Sequence, residues 1–258
     1  SSEIISEAKQ LIDNGSQEII LLGQNVNAYN FKNKRLSDLL YSLSKIKNLE
    51  RIRYTTSHPK DFTDDLIKAH VECKKLMPLL HLPVQSGSTK ILQNMNRNHT
   101  IEEYLEIIEK LKEKKPSIKF SSDFIIGYPG ETKDDFEQTV SLMKQVEFIN
   151  SYSFIFSARP GTPAANLKKV DEKIAKERLF IFQRAANEIK EKYRKKLVNL
   201  TASVLFENNT RGSDRYFGRD EYFNSVIVNS NENLTGKIRN VKINSCNQNT
   251  LFGEVSLE

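Results

Sequence analysis

A chain of 258 residues with 38% apolar content holds either one large domain or a domain of about 190 residues with a small partner. It contains no apolar run long enough to span a bilayer and opens without a basic-then-apolar leader, so the sequence predicts a cytoplasmic protein with no membrane contact. The formal charge of +6 is concentrated in 168–196, where eleven Lys or Arg face five Asp or Glu. That segment is either a solvated helix face or a phosphate-facing stripe.

The predicted elements alternate from the start. Ile4, Ile5, Ala8, Leu11 and Ile12 recur at helical spacing, and Asn14-Gly15 supplies a left-handed cap. A strand at 18–22 leads into the polar stretch L-L-G-Q-N-V-N-A-Y. A helix at 36–46, a strand at 51–55 and a helix at 64–71 follow. A strand at 79–84, helices at 89–95 and 101–114, a strand at 120–126, a helix at 133–146 and a strand at 152–156 complete the series. Strands alternating with helices define an α/β fold, either an open doubly wound sheet or part of a β/α barrel. A long helix over 171–196 buries Phe182, Ala185, Ala186, Ile189 and Tyr193. Beyond it the helical period disappears into short β runs separated by Asn, Gly and Asp clusters, which predicts a small all-β, OB-like barrel with a boundary near residue 196.

In either α/β architecture ligands sit beyond the carboxyl ends of the strands, and here those ends are polar: G-Q-N, T-T-S-H-P, V-Q-S-G-S and I-G-Y-P-G-E-T. Ser88 suits a helix cap, whereas Gln85 and Ser86 are free to bind ribose hydroxyls or a carboxylate, with Gly87 allowing close approach of a ligand or of backbone. Thr132 with Asp135 and Thr100 with Glu103 read as capping boxes. The Gly127–Gly130 backbone could instead pack on a nucleobase, with Asp123 offered to a ribose. His58 stands where a base could stand but lacks a carboxylate partner. His70, His81 and His99 have no metal-site spacing, and Cys73 and Cys246 read as reduced thiols. The residues alone therefore describe a ligand-binding β/α scaffold, with a metal-independent enzyme using His58 as one alternative.

The stretches L-L-G-Q-N-V-N-A-Y, R-I-R-Y-T-T-S-H-P, H-L-P-V-Q-S-G-S, D-F-I-I-G-Y-P-G-E-T and F-S-A-R-P-G-T-P-A-A together resemble, in order and spacing, the radical S-adenosylmethionine (SAM) methylthiotransferases. G-Q-N and T-T-S-H-P resemble the branch that acts on isopentenyladenosine in tRNA more than the branches that act on threonylcarbamoyl-adenosine or a ribosomal protein. The resemblance implies a partial (β/α) radical SAM barrel over 1–195 and a TRAM RNA-binding barrel over 196–258. It also implies SAM and two 4Fe-4S clusters as cofactors. Its cysteine motifs, three upstream cysteines and C-x-x-x-C-x-x-C, are absent here, so the expectation is a carboxyl-terminal part of a longer protein, inactive or merely tRNA-binding by itself.

For the whole enzyme the resemblance implies reductive cleavage of SAM to a 5′-deoxyadenosyl radical, hydrogen abstraction at C2 of the isopentenylated adenosine beside the anticodon, sulfur insertion and methylation. An electron donor such as flavodoxin and a monomeric state are expected with it. By the same resemblance Gln24 and Asn25 lie near the methionine end of SAM, Gln85 and Ser86 near its carboxylate or ribose, and Asp123 and Gly127 near ribose and adenine. Arg211, Arg215 and Arg219, interleaved with Tyr216 and other aromatics, form the expected RNA-binding stripe.

Overall fold

The computed structural model describes residues 2–55, 57–210 and 214–256. Helix α1 (Ser2–Asp13) buries Ala8 and Ile12 and ends at Gly15, whose φ of +97° suits only a residue without a side chain. Strand β1 (Glu18–Leu21) follows. A small hairpin, β2 (Asn30–Phe31) and β3 (Lys34–Arg35), then feeds α2 (Leu36–Ser44). After β4 (Arg51–Tyr54) come α3 (Asp64–Glu72), β5 (Leu79–His81), α4 (Thr89–Asn94) and α5 (Ile101–Lys114). Strand β6 (Lys119–Ile126), α6 (Lys133–Val146), β7 (Asn150–Ile155) and α7 (Glu172–Lys195) complete the larger part.

Apart from the antiparallel β2–β3 hairpin, pairing in this part is parallel: β1 with β4, β5 with β6, β6 with β7. A bridge between Ile52 and Leu76 joins the two sheets into one wall. The strands stand in sequential order, with no reversal at which a doubly wound sheet would switch. That decides between the two architectures left open by the sequence: this is an open stretch of β/α barrel. One face of the wall is apolar and covered by helices, with Ile19, Ile52, Leu80, Phe120, Phe124 and Phe182 in a single core. Phe182 of α7 lies 4.7 Å from Phe124, ring centre to ring centre, which locks the long helix across β6. The other face carries Arg51, Arg53, His81 and Asp123.

Strands β8 (Thr201–Asn209), β9 (Arg215–Asp220), β10 (Ser225–Asn229), β11 (Ile238–Cys246) and β12 (Thr250–Val255) close into a five-stranded barrel with its own core of Val204, Phe206, Tyr216, Val226, Val241 and Leu251. Full closure removes exposed edges from this small unit.

The barrel is bound to the wall by arginines of β4. Arg51 donates to the carbonyls of Ser203 (2.8 Å) and Arg219 (3.0 Å), and Arg53 to those of Asp220 (2.8 Å) and Glu221 (2.9 Å). Glu18 on β1 balances them, 3.0 Å from Arg53. The ring of Phe223 lies between two guanidinium groups, 4.9 Å from Arg53 and 4.7 Å from Arg219.

Candidate functional site

The loops after the parallel strands gather at one edge of the wall. The β1 loop is fixed by its amides. Asn25 donates to Asp61 at 2.6 Å, while Asn27 donates to the His58 carbonyl and accepts from the His58 amide, both at 2.8 Å. These contacts tie the G-Q-N loop to the T-T-S-H-P loop and leave Gln24 exposed to solvent. Among the described residues Asn25 keeps a buried, unpaired carbonyl oxygen, and the Ser57 hydroxyl of the T-T-S-H-P loop is likewise buried and unpaired.

A cleft of about 740 Å³ opens at the carboxyl ends of β5, β6 and β7, lined among others by Gln85, Arg97, Asp123, Tyr128 and Phe156. Gln85 holds a φ of +75° because its backbone is clamped to β6 on both sides: its amide donates to the Asp123 carbonyl and its carbonyl accepts from Ile125, each at 2.9 Å. A strained non-glycine residue over-determined by its surroundings is a common feature of ligand clamps. Asp123 projects from β6 toward His81, 3.6 Å away, whose other ring nitrogen lies 2.9 Å from the Ser121 hydroxyl. Arg97 makes no side-chain hydrogen bond or ion pair among the described residues; burial lowers its pKa and the charge of Asp123 opposes that.

Two of the expected ligand contacts also have packing roles. Ser86 is fully buried, with its hydroxyl 3.3 Å from that of Thr139 and accepting from the Ser88 amide, so it cannot reach the cleft. Gly127, at φ +71°, gives its amide to Glu131, and a Cβ there would stand 2.9 Å from Ala175, so the glycine is required for the close approach of α7. Gly87 likewise admits backbone, since a Cβ would lie 2.5 Å from Thr139 on α6. The capping roles of Ser88, Thr100 and Thr132 hold. Asp135 takes hydrogen bonds from Thr132, Ser88 and Lys90, which keep its pKa well below the usual carboxylate range against the opposing effect of burial.

On the small barrel, Tyr216 turns into the core and Arg219 is occupied by Phe217, Phe223, Ser225 and Glu207, because alternation along β9 sends every second side chain inward. Arg215 is exposed, and Arg211 lies outside the described residues. In α7, Arg178 pairs with buried Glu131 at 2.7 Å and Arg194 donates to the Gln248 carbonyl, so part of its positive charge holds the fold together.

Sequence reasoning passed over the group formed by His58, Arg97 and His99. The imidazoles of His58 and His99 meet edge to face at 5.5 Å, and both nitrogens of His99 are buried without a partner among the described residues. Burial lowers both pKa values, that of His99 to about 4, and Arg97 adds to the effect. The available signal was R-N-H, two ionisable residues on a loop beside the predicted site. Cys73 is buried in the main core and Cys246 lies on the small barrel; among the described residues no three His, Cys, Asp or Glu side chains gather to hold a metal.

Residues 2–143 match the model of the Radical SAM superfamily. The chain is 57% identical to the tRNA-2-methylthio-N(6)-dimethylallyladenosine synthase of Pelagibacter ubique (strain HTCC1062), over 98% of this chain and 58% of that protein. It is 48% identical to the protein of the same name from Rickettsia akari (strain Hartford), with the same two coverages of 98% and 58%. The chain therefore spans well under two thirds of these relatives. Among solved structures, coproporphyrinogen III oxidase (HemN) from Escherichia coli aligns with a TM-score of 0.51 at 13% identity, covering 85% of this chain and 60% of that one. The radical S-adenosylmethionine methyltransferase TsrM from Kitasatospora setae aligns at 0.51 and 14% identity, covering 64% of this chain and 32% of that one. These two likenesses speak to the fold.

Proposed function

The chain belongs to the radical SAM superfamily, and from that premise we propose that it is part of a tRNA methylthiotransferase converting N6-isopentenyladenosine beside the anticodon to its 2-methylthio derivative. The observation that carries this reading is the 57% identity along nearly the whole chain to a relative named for that reaction. The division proposed with it is a radical SAM core over 1–195 and a TRAM barrel over 196–258. The setting is the cytoplasm, with a monomeric enzyme and an electron donor of the flavodoxin type.

The cleft fits SAM in size and chemistry. Gln85 can hydrogen-bond ribose hydroxyls through its amide, Asp123 can accept from a ribose hydroxyl, and Tyr128 and Phe156 offer flat apolar walls. Gln24 and Asn25 would face the methionine end. When bound, SAM supplies the methyl group and the superfamily's radical chemistry; the protein's task is to orient it and keep water away. An iron-sulfur cluster does not fit the described residues, because Cys73 and Cys246 lie in different cores. RNA contact falls to Arg215 and to the lysines of α7 left unpaired by the fold.

The test is expression of the complete gene product containing this chain in cells lacking 2-methylthio nucleosides. Recovery of 2-methylthio-N6-isopentenyladenosine in digested tRNA is expected, and unchanged nucleosides would overturn the proposal.

A further inference from the structure

The rim where the β1 and β4 loops meet the α4–α5 loop holds an unusual excess of unmet hydrogen-bonding capacity. Arg97 is set in position by its backbone, with its amide donating to Leu92 at 2.8 Å and its carbonyl accepting from His99 at 2.9 Å, yet its guanidinium makes no hydrogen bond or ion pair among the described residues. Among the described residues both nitrogens of His99 are buried and unpaired, as are the Ser57 hydroxyl and the Asn25 carbonyl oxygen. His58 is oriented by the Lys60 amide, which donates to its Nδ1 at 3.2 Å, so a neutral ring carries its proton on Nε2. Each buried polar group left unmet costs about 1–3 kcal/mol. A ligand that met several at once would recover much of that.

The balance of donors over acceptors defines the ligand. Arg97 and Lys60 carry positive charge at this rim, and the neutral rings of His58 and His99 each offer an N–H, while the nearby carboxylates already have partners: Asp61 accepts from Asn25, Glu103 accepts from the Thr100 amide, and Asp123 faces His81 inside the cleft that Arg97 also lines. Of the unmet groups named above only the Asn25 carbonyl oxygen must accept, so a ligand rich in acceptor oxygens is favoured. A phosphodiester suits a guanidinium and two imidazole donors better than a carboxylate does, since it offers two charged oxygens and sits on a strand that can run along the rim.

We propose that this rim is a phosphate-binding position for RNA, in which Arg97, flanked by His58 and His99, holds one backbone phosphate next to the target nucleoside. The inference rests on the tRNA reading above. By fixing that phosphate, the rim would set how far the nucleoside extends into the cleft beside Gln85 and Asp123.

The experiment uses the chain and a short anticodon stem-loop oligonucleotide carrying isopentenyladenosine, prepared with one neutral methylphosphonate linkage at a time. Expected for the unmodified protein is a single linkage adjacent to the modified adenosine whose neutralisation weakens binding about tenfold. Arg97→Met should weaken binding of the all-phosphate oligonucleotide by the same factor and be indifferent to that linkage, while Arg97→Lys recovers part of the loss. Because Arg97 also lines the cleft, SAM affinity is measured alongside, and in Arg97→Met the RNA affinity should fall by the larger factor. A linkage profile that is flat in the unmodified protein, or identical in Arg97→Met, overturns the inference, as does loss of SAM affinity with RNA affinity intact, which would give Arg97 to the SAM carboxylate. Failure of the unmodified protein to bind the stem-loop would count against the tRNA reading itself. The scan on unmodified protein decides the matter even if a variant fails to fold.

Discussion

At the scale of single residues, Gln85 combines a conformational cost with a place in the cleft. Its left-handed backbone costs about 1–2 kcal/mol, so Gln85→Gly should raise the melting temperature by about 2–4 °C while weakening SAM binding roughly tenfold, as read by calorimetry on the same preparation. Unchanged SAM affinity would remove Gln85 from the site. His70 makes a different prediction. Buried beneath Tyr54, whose hydroxyl lies 2.5 Å from its Nε2, it is held neutral by desolvation, with its pKa lowered to about 3. The unfolded chain takes up this proton near pH 6.5 and the folded one does not, so stability present above pH 6.5 is lost as the pH falls toward 3. Urea midpoints should decline over that window, and His70→Phe combined with Tyr54→Phe should flatten the decline. The same residues show what the sequence could and could not convey. Polar strand ends pointed to Gln85 and Asp123, which do line the cleft, because strand-end position alone selects them. Ser86 and Gly127 carried the same signal, and their burial depended on Thr139 and Ala175, which come from helices distant in sequence.

At the scale of elements, the helices were readable because apolar period and caps coincide: α5 and α6 begin at Thr100 and Thr132, each with its reciprocal side-chain bond. Strand β5 is shorter than its apolar run suggests, since Leu82 and Val84 leave regular pairing while remaining buried. Strand β9 was hidden for the opposite reason. Its inward positions are Tyr216, Gly218 and Asp220, a poor apolar alternation, and its outward arginines suggested a binding stripe. The element that most binds the core is α7 through Phe182, entirely buried against Phe124. Phe182→Ala should cost about 3–5 kcal/mol, measured by denaturant unfolding. A loss below 1 kcal/mol would mean that α7 is an ornament on an independently stable wall.

At the scale of the whole molecule, two units with separate cores are joined by a polar seam rather than an apolar one. Replacing Arg53 by Met leaves the half-buried Glu18 without its closest cation and removes the bonds to Asp220 and Glu221, so a single thermal transition should split into two, visible by calorimetry. One unchanged transition would show that Arg51 and the α7 connection suffice. The Phe223 ring between Arg53 and Arg219 carries a practical corollary. At molar salt, exposed charges more than about 3 Å apart no longer sense each other, whereas buried carbonyl contacts and an arginine–ring–arginine stack are little affected. A concentrated salt wash should thus strip nucleic acid carried through purification while the two lobes elute as one compact particle.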